Sequence, residues 1–436
     1  MSFYSIRTRK EELETQRKLT TTSDPVEVAS TLPARMKEIG GKGSIFFDNV
    51  IDYDMPVVSG MFGDRQSWAD YWDIDVNGIT RRIKEAIAHP LQWEIVPKGT
   101  CQETTLNLGN DLTKIFPAPK FNRLDSGQFI TSAVVHVMDS GSNKIHTSIR
   151  RIQVNKENLS IFMTSSGLSN KFRSAEADGK DLDIAIVIGS HPALLLASQL
   201  NSYLYDVDKV ALAGALTGVP VPMVKCQTVD CYVPADSEIV FEGKIVAGKR
   251  EPEGPVGELA DGFGKRSDKP IIHINRVTCR ENPWFQAIHP LSDDDHKLPG
   301  ALMREVLLFD AVKRVLPSVK DVHFTLPGAG LFHAVVSIRK RREGQGKMAL
   351  LAALGGYTAL KHVVIVDDDV DIFDSTDVEW AVATRVQAER DVVIIDGVCG
   401  TSLDPSLTDY GTGSKMGIDA TYPLDDKKDY LRASQT

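Results

Sequence analysis

The sequence lacks the features that announce most common function classes. Positive charge is not in surplus: a net charge of −9 and a pI near 5.6 leave no basic face for neutralising phosphates, so no nucleic-acid partner is expected. No apolar run reaches the ~20 residues of a membrane span, since the most apolar stretch, residues 184–197, is interrupted by Gly189, Ser190, His191 and Pro192. The five cysteines, Cys101, Cys226, Cys231, Cys279 and Cys399, are odd in number and form no C-x-x-C pair. That excludes a disulfide framework or a thiolate zinc site and fits a reducing compartment. The N-terminal MSFYSIRTRKEELETQRK has no apolar secretory core, so a cytoplasmic protein with no membrane partner is expected. Walker A, G-x-G-x-x-G and G-x-S-x-G patterns are missing as well. The acidic run 367–374 fails as a calcium loop, because Ile372 and Val378 stand where Gly and Glu are required. It reads instead as the polar end of the buried strand HVVIV, followed by a capping box at Thr376 and Glu379.

A chain of 436 residues exceeds what one core supports, so two or three domains are expected. Residues 24–39 read as a helix opened by Asp-Pro, and SIFFDNVI as a strand. QFITSAVVHVMDS, IRRIQV, LSIFMTS, DIAIVIG, SEIVFEGKIV and PIIHINRVT then follow as short strands between turn residues, the pattern of a barrel or sandwich. A helical stripe over residues 301–316 precedes a strand–helix–strand alternation that predicts an α/β layer with parallel pairing. The expected class is α+β multidomain: an α/β unit over 1–104, a split barrel over 105–299 and an α/β domain over 300–436 with its linker helix.

The segment PEGPVGE places Glu253 and Glu258 on a Gly/Pro-rich stretch that should be neither helix nor central strand. Paired carboxylates on such a loop suit acid–base work, because neighbouring acids split in pKa. From spacing alone, a solvated turn accounts for them better.

The wider pattern changes that reading. PEGPVGE resembles the glutamate loop of UbiD-type decarboxylases, and VKCQTVDCYVPADSEIVFEG and AGALTG are similar to the segments that precede it in that family. HTSIRRIQV resembles its flavin-contacting strand, VVIVDDDVDIFD and DVEWAVATR its C-terminal domain, and LDPS with GSKMGIDAT its tail. The resemblance implies a split barrel that binds prenylated FMN, supplied by a UbiX-type prenyltransferase, and reversible non-oxidative decarboxylation of an unsaturated, aromatic or heteroaromatic acid. An external electron sink is needed because an sp² carbanion lies in the substrate plane, out of reach of its own π-system. The resemblance implies Glu258 as proton donor, Arg151 as the cation orienting the substrate carboxylate and Glu253 as its support. It also implies cofactor contacts from His146, Ser148, Ile149, Arg151 and Lys209, with Leu259 lining the substrate pocket and favouring a flat apolar ring. Arg150 and Arg151 are neighbours, and on a strand only one can face the flavin; the resemblance favours Arg151.

In the family, a divalent ion (manganese or magnesium) held by Asn, His and Glu, with potassium nearby, anchors the flavin phosphate. Here His146 matches the Asn, Lys209 matches the Glu, and no histidine lies between Arg151 and His191. Lysine does not ligate a hard cation, so His146 and Lys209 could neutralise the phosphate directly; a one-residue shift would instead put Asp208 at the ligand position and restore a metal site. A homodimer or hexamer is expected. Two rivals remain: a non-catalytic flavin-binding paralogue acting as partner subunit, which would have no reason to keep all three site residues, and a split-barrel FMN reductase, which would need no paired carboxylates.

Overall fold

The computed structural model describes residues 5–40, 43–139, 144–163, 167–408, 410–425 and 430. Helix α1 (Ile6–Thr15) starts where the side chain of Ser5 accepts the amide of Thr8, and it buries Ile6 and Leu13. Helix formation in residues 24–39 is confined to Thr31–Ile39, because Val26 is drawn into a β-bridge with Val50. The short strands Leu19–Thr22, Ser44–Phe47 and Val57–Ser59 share a sheet with Phe285–Gln286, which pairs in parallel with the third of them. Most of the segment before residue 105, expected as its own unit, is grouped with the barrel in one compact unit, Met1–Asp73 and Arg82–Pro299, while Ile74–Arg81 is grouped with the second.

Six strands form that barrel: β1 (Gln128–Met138), β2 (Ile145–Val154), β3 (Leu159–Ile161), β4 (Leu182–Ile188), β5 (Ile239–Glu253) and β6 (Ser267–Cys279). Their order is β5-β4-β1-β2-β3-β6, and the pairing of β6 with β5 closes the ring. The segments are rich in Val, Ile and Phe, which suit a pleated, half-buried surface, and Phe129, Ile152, Ile186, Phe241 and Ile272 meet in one core. Each such side chain contributes about 1.5–3 kcal/mol on burial. The strand expected over 159–165 ends at Ile161, and 164–166 lie outside the described residues.

The second unit comprises Ile74–Arg81 and Gly300–Thr436. Most of helix α2 (Leu298–Val315), which follows a π-turn at Asp293–Lys297, lies in it. Its sheet holds β7 (Val319–Phe324), β8 (His333–Ile338), β9 (His362–Asp367), β10 (Val392–Cys399) and β11 (Thr412–Asp419) in the order β7-β8-β9-β11-β10. The expected parallel pairing holds for β8–β9 and β9–β11, while both outer pairs are antiparallel. The helix after the acidic run begins at Ser375 and is capped by Asp374, whose carboxylate accepts the Thr376 amide, rather than by a Thr376–Glu379 box. The run itself supplies counter-charge to the fully buried Arg385, which reaches Asp369 at 2.6 Å and Asp367 at 3.5 Å. Among the described residues no helix is long and apolar enough to cross a membrane.

Candidate active site

Strand β2 presents chemistry on both faces. Side chains alternate along an extended strand, so Thr147, Ile149, Arg151 and Gln153 share one face, and His146, Ser148 and Arg150 share the other.

On the first face two carboxylates hold Arg151. Its Nε donates to Glu253 Oε1 at 2.9 Å and its Nη2 to Glu253 Oε2 at 3.2 Å, while Nη1 donates to Glu258 Oε1. This is the fork geometry that makes arginine–carboxylate pairs strong and directional. The Glu253 side chain is 0% exposed, against 20% for Glu258 and 15% for Arg151. Burial opposes the arginine's charge, but Glu258 and Glu253 outweigh it and hold the pKa above its ordinary value. The ring of Phe162 lies beside the guanidinium, 4.1 Å from Cζ to centroid, and also faces the Lys269 ammonium at 4.8 Å.

The stretch expected as irregular loop is largely strand. Glu253 is the last residue of β5 and pairs with Ser267 of β6, while Val256–Gly257 pairs with Phe263–Gly264. Proline is tolerated at 252 because the pairing of β5 with β4 ends at Ile245, leaving an open edge there. Gly254, at φ 79°, and the cis bond to Pro255 make the break between the two strand segments. Gln153 Oε1 accepts the Gly254 amide at 3.1 Å and the Ser126 hydroxyl at 2.9 Å, and Asp125 Oδ1 accepts the Gly257 amide at 3.0 Å. The Glu258 amide closes the next turn onto the Gly262 carbonyl at 2.8 Å. Gly264 leaves room for the acid, since a Cβ there would stand 2.6 Å from Glu258 Oε1. Leu259 is 8% exposed beside it in sequence. Sequence reasoning missed Gln153, Asp125, Phe162 and Gly264. Only Gln153 left a signal, lying two residues past Arg151 on the same strand face.

The second face of β2 collects cations. Lys209, expected in a turn if it had no role, is instead the first residue of the helix Lys209–Thr217, only 6% exposed, and its Nζ donates to the Ser198 carbonyl at 3.0 Å. Burial, reinforced by the charge of Arg150, pushes its pKa down to about 7. Burial lowers Arg150 to about 10, and burial with Lys209 and Arg150 lowers His146 to about 4. Ser148 is buried, and its Oγ and His146 Nε2 meet no hydrogen-bond partner among the described residues. Asp208 is not placed as a substitute metal ligand: Oδ1 caps the helix by accepting the amides of Val210 and Ala211, and Oδ2 accepts the Trp93 indole at 3.0 Å. Lysine in place of a carboxylate is the wrong donor for a hard divalent ion, and among the described residues no group of three or more metal-ligating side chains exists.

Comparison with known proteins agrees with this geometry. Residues 94–292 match the family described as 3-octaprenyl-4-hydroxybenzoate carboxy-lyase Rift-related domain, and residues 297–420 match its C-terminal domain. Anhydromevalonate phosphate decarboxylase of Methanothermobacter thermautotrophicus is 35% identical over 415 residues, covering 95% of each chain. The UbiD-class enzyme HmfF from Pelotomaculum thermopropionicum, solved in complex with FMN, superposes with a TM-score of 0.94 at 40% identity, over 98% of this chain and 96% of that one. An evolved dimeric form of HmfF in complex with prFMN superposes with a TM-score of 0.89 at 37% identity, over 99% of both chains. A closed barrel carrying the Arg151–Glu253–Glu258 network, joined to a matching C-terminal domain, places the chain in the UbiD family of carboxy-lyases.

Proposed function

We propose that the chain decarboxylates an aromatic, heteroaromatic or α,β-unsaturated carboxylic acid with prenylated FMN, reversibly and without net oxidation, at the Arg151 face of β2. The observation that carries the reading is the asymmetry of the two glutamates around one guanidinium. Glu253 is fully buried and takes two of the arginine's donors, whereas Glu258 is the more exposed and takes one. The buried acid is therefore the fixed support, and the accessible one is free to exchange a proton.

When bound, the prenylated flavin supplies the electron sink that an sp² carbon requires. The protein's own residues do the rest. Arg151, locked in orientation by Glu253, offers a charge-assisted contact to the substrate carboxylate. Glu258 delivers a proton to the carbon that loses carbon dioxide, a general-acid role worth about 10²–10⁴-fold. Ile149 contributes to the cofactor wall, and Leu259 with Phe162 gives the substrate an apolar boundary. Relatives named for a phosphorylated aliphatic acid and for phenolic acids mark the range to screen. The reading brings with it a UbiX-type prenyltransferase as cofactor supplier, a cytoplasmic location and assembly as a homodimer or hexamer.

The test is carbon dioxide release by protein co-expressed with a prenyltransferase, across a panel of heteroaromatic, phenolic and phosphorylated acids. Glu258→Gln should lose at least 10²-fold in rate while retaining flavin. Unchanged turnover in that variant would remove Glu258 from the mechanism.

A further inference from the structure

The cationic face of β2 has no part in the acid–base chemistry, and its composition is unusual for a protein interior. Lys209, Arg150 and His146 are drawn together: burial shifts the proton affinity of each, and the charge of Arg150 acts on both Lys209 and His146. Buried cations persist when paired. Two neutral polar atoms beside them, Ser148 Oγ and His146 Nε2, are buried without a partner among the described residues. Buried polar atoms of this kind call for a partner. The single acceptor shown for the Lys209 ammonium is the Ser198 carbonyl, which uses one of its three donors.

We propose that His146, Ser148, Arg150 and Lys209 form a cradle that binds the phosphate of the flavin mononucleotide directly, without a bridging divalent metal. The proposal rests on the flavin use argued above and concerns how the cofactor is held. A phosphate carries a charge of about −1.5 to −2 and three strong acceptor oxygens, which matches the buried Lys209 ammonium and the unsatisfied Ser148 Oγ and His146 Nε2 beside it. Arg150 gives a planar fork, Lys209 a point charge at the start of its helix, Ser148 a hydroxyl and His146, uncharged at neutral pH, one ring N–H. A manganese or magnesium ion at the same place would face two cations and one imidazole, and Asp208 has its oxygens engaged with Val210, Ala211 and Trp93. The sequence pattern had set Arg150 aside as the neighbour pointing away from the site; here that direction is its function.

The full-length protein, freed of flavin, should be titrated with FMN and with riboflavin by quenching of flavin fluorescence, in EDTA and again with added manganese. The expected result is FMN binding at least ~100-fold tighter than riboflavin in EDTA, with no gain from manganese. Arg150→Met and Lys209→Met should each weaken FMN about 10- to 100-fold and leave riboflavin binding unchanged, which guards against mere misfolding. Lys209→Arg should recover most of the affinity. FMN binding that collapses in EDTA and returns with manganese would overturn the proposal, as would equal affinity for FMN and riboflavin. Neither readout depends on turnover: a wild type that selects FMN in EDTA yet releases no carbon dioxide from any acid would refute the decarboxylase reading and leave the cradle standing.

Discussion

The residue scale is where the site is most sharply defined. Arg151 and its two glutamates could be named from the sequence because segment order and alternation along one strand are local properties. Which glutamate is buried could not, because that depends on Gln153 and Asp125 gripping the backbone amides of Gly254 and Gly257 from residues 101 and 132 positions away. The lack of a side chain at Gly264 belongs to the same layer. Gly264→Ala should push the Glu258 carboxylate, 2.6 Å from the new methyl, out of its place. Misplacement of a catalytic group by about 1 Å costs on the order of 10²-fold. Decarboxylation by this variant should therefore fall by about that factor with flavin affinity retained; full activity would show that Glu258 is not positioned by this contact.

At the scale of elements, the sequence conveyed strand content well and element ends poorly. The barrel strands stand where their Val/Ile-rich runs predicted, whereas the helix at 31–39 was misread because a tertiary partner, Val50, holds Val26 in a bridge, and the later cap because Asp374, directly before the helix, accepts the Thr376 amide. The π-turn at Asp293–Lys297 carries a group that only the structure exposes. Asp294 is 8% exposed, and burial, aided by Asp295, Asp64 and Asp293, raises its pKa from 3.8 to about 7. The folded state thus binds this proton more tightly than the unfolded chain does. The contribution of this group to stability falls as pH climbs from about 4 to about 7 and levels off above that. Asp294→Asn should remove this component. Between pH 4.5 and 7.5, denaturant midpoints should show the wild type losing on the order of 2 kcal/mol relative to the variant; parallel pH profiles would refute the assignment.

At the scale of the whole chain, the N-terminal segment was the least legible part. Its sheet is completed by Phe285–Gln286, a two-residue strand with no periodicity to detect. Helix α1 is tied to the barrel by one buried acid: Glu238, 0% exposed, receives both Arg7 Nε and Nη2 at 2.8 Å and the Trp284 amide at 3.0 Å. Removing one partner of a buried pair costs about 3–5 kcal/mol, here reduced to roughly 2 because Arg7 is itself 28% exposed and Glu238 keeps Arg280 Nε at 3.8 Å. Arg7→Met should therefore lower the thermal midpoint by several degrees, read by calorimetry, without altering the FMN-to-riboflavin affinity ratio.

The adjacency of Arg150 and Arg151 also bears on how this family of sequences can change. Because the side-chain period of a strand is two, insertion or deletion of one residue within β2 would turn each arginine toward the other's station and take the guanidinium of Arg151 away from Glu253 and Glu258. Neighbouring β1 and β3 pair with β2 on both sides, and β1 already carries a one-residue register shift opposite Arg151, between Ile130 and Ala133. Point substitutions at 146, 148 or 150 leave the opposite face where it stands, which gives lineages freedom to retune the means of holding a phosphate while the proton-handling face stays fixed.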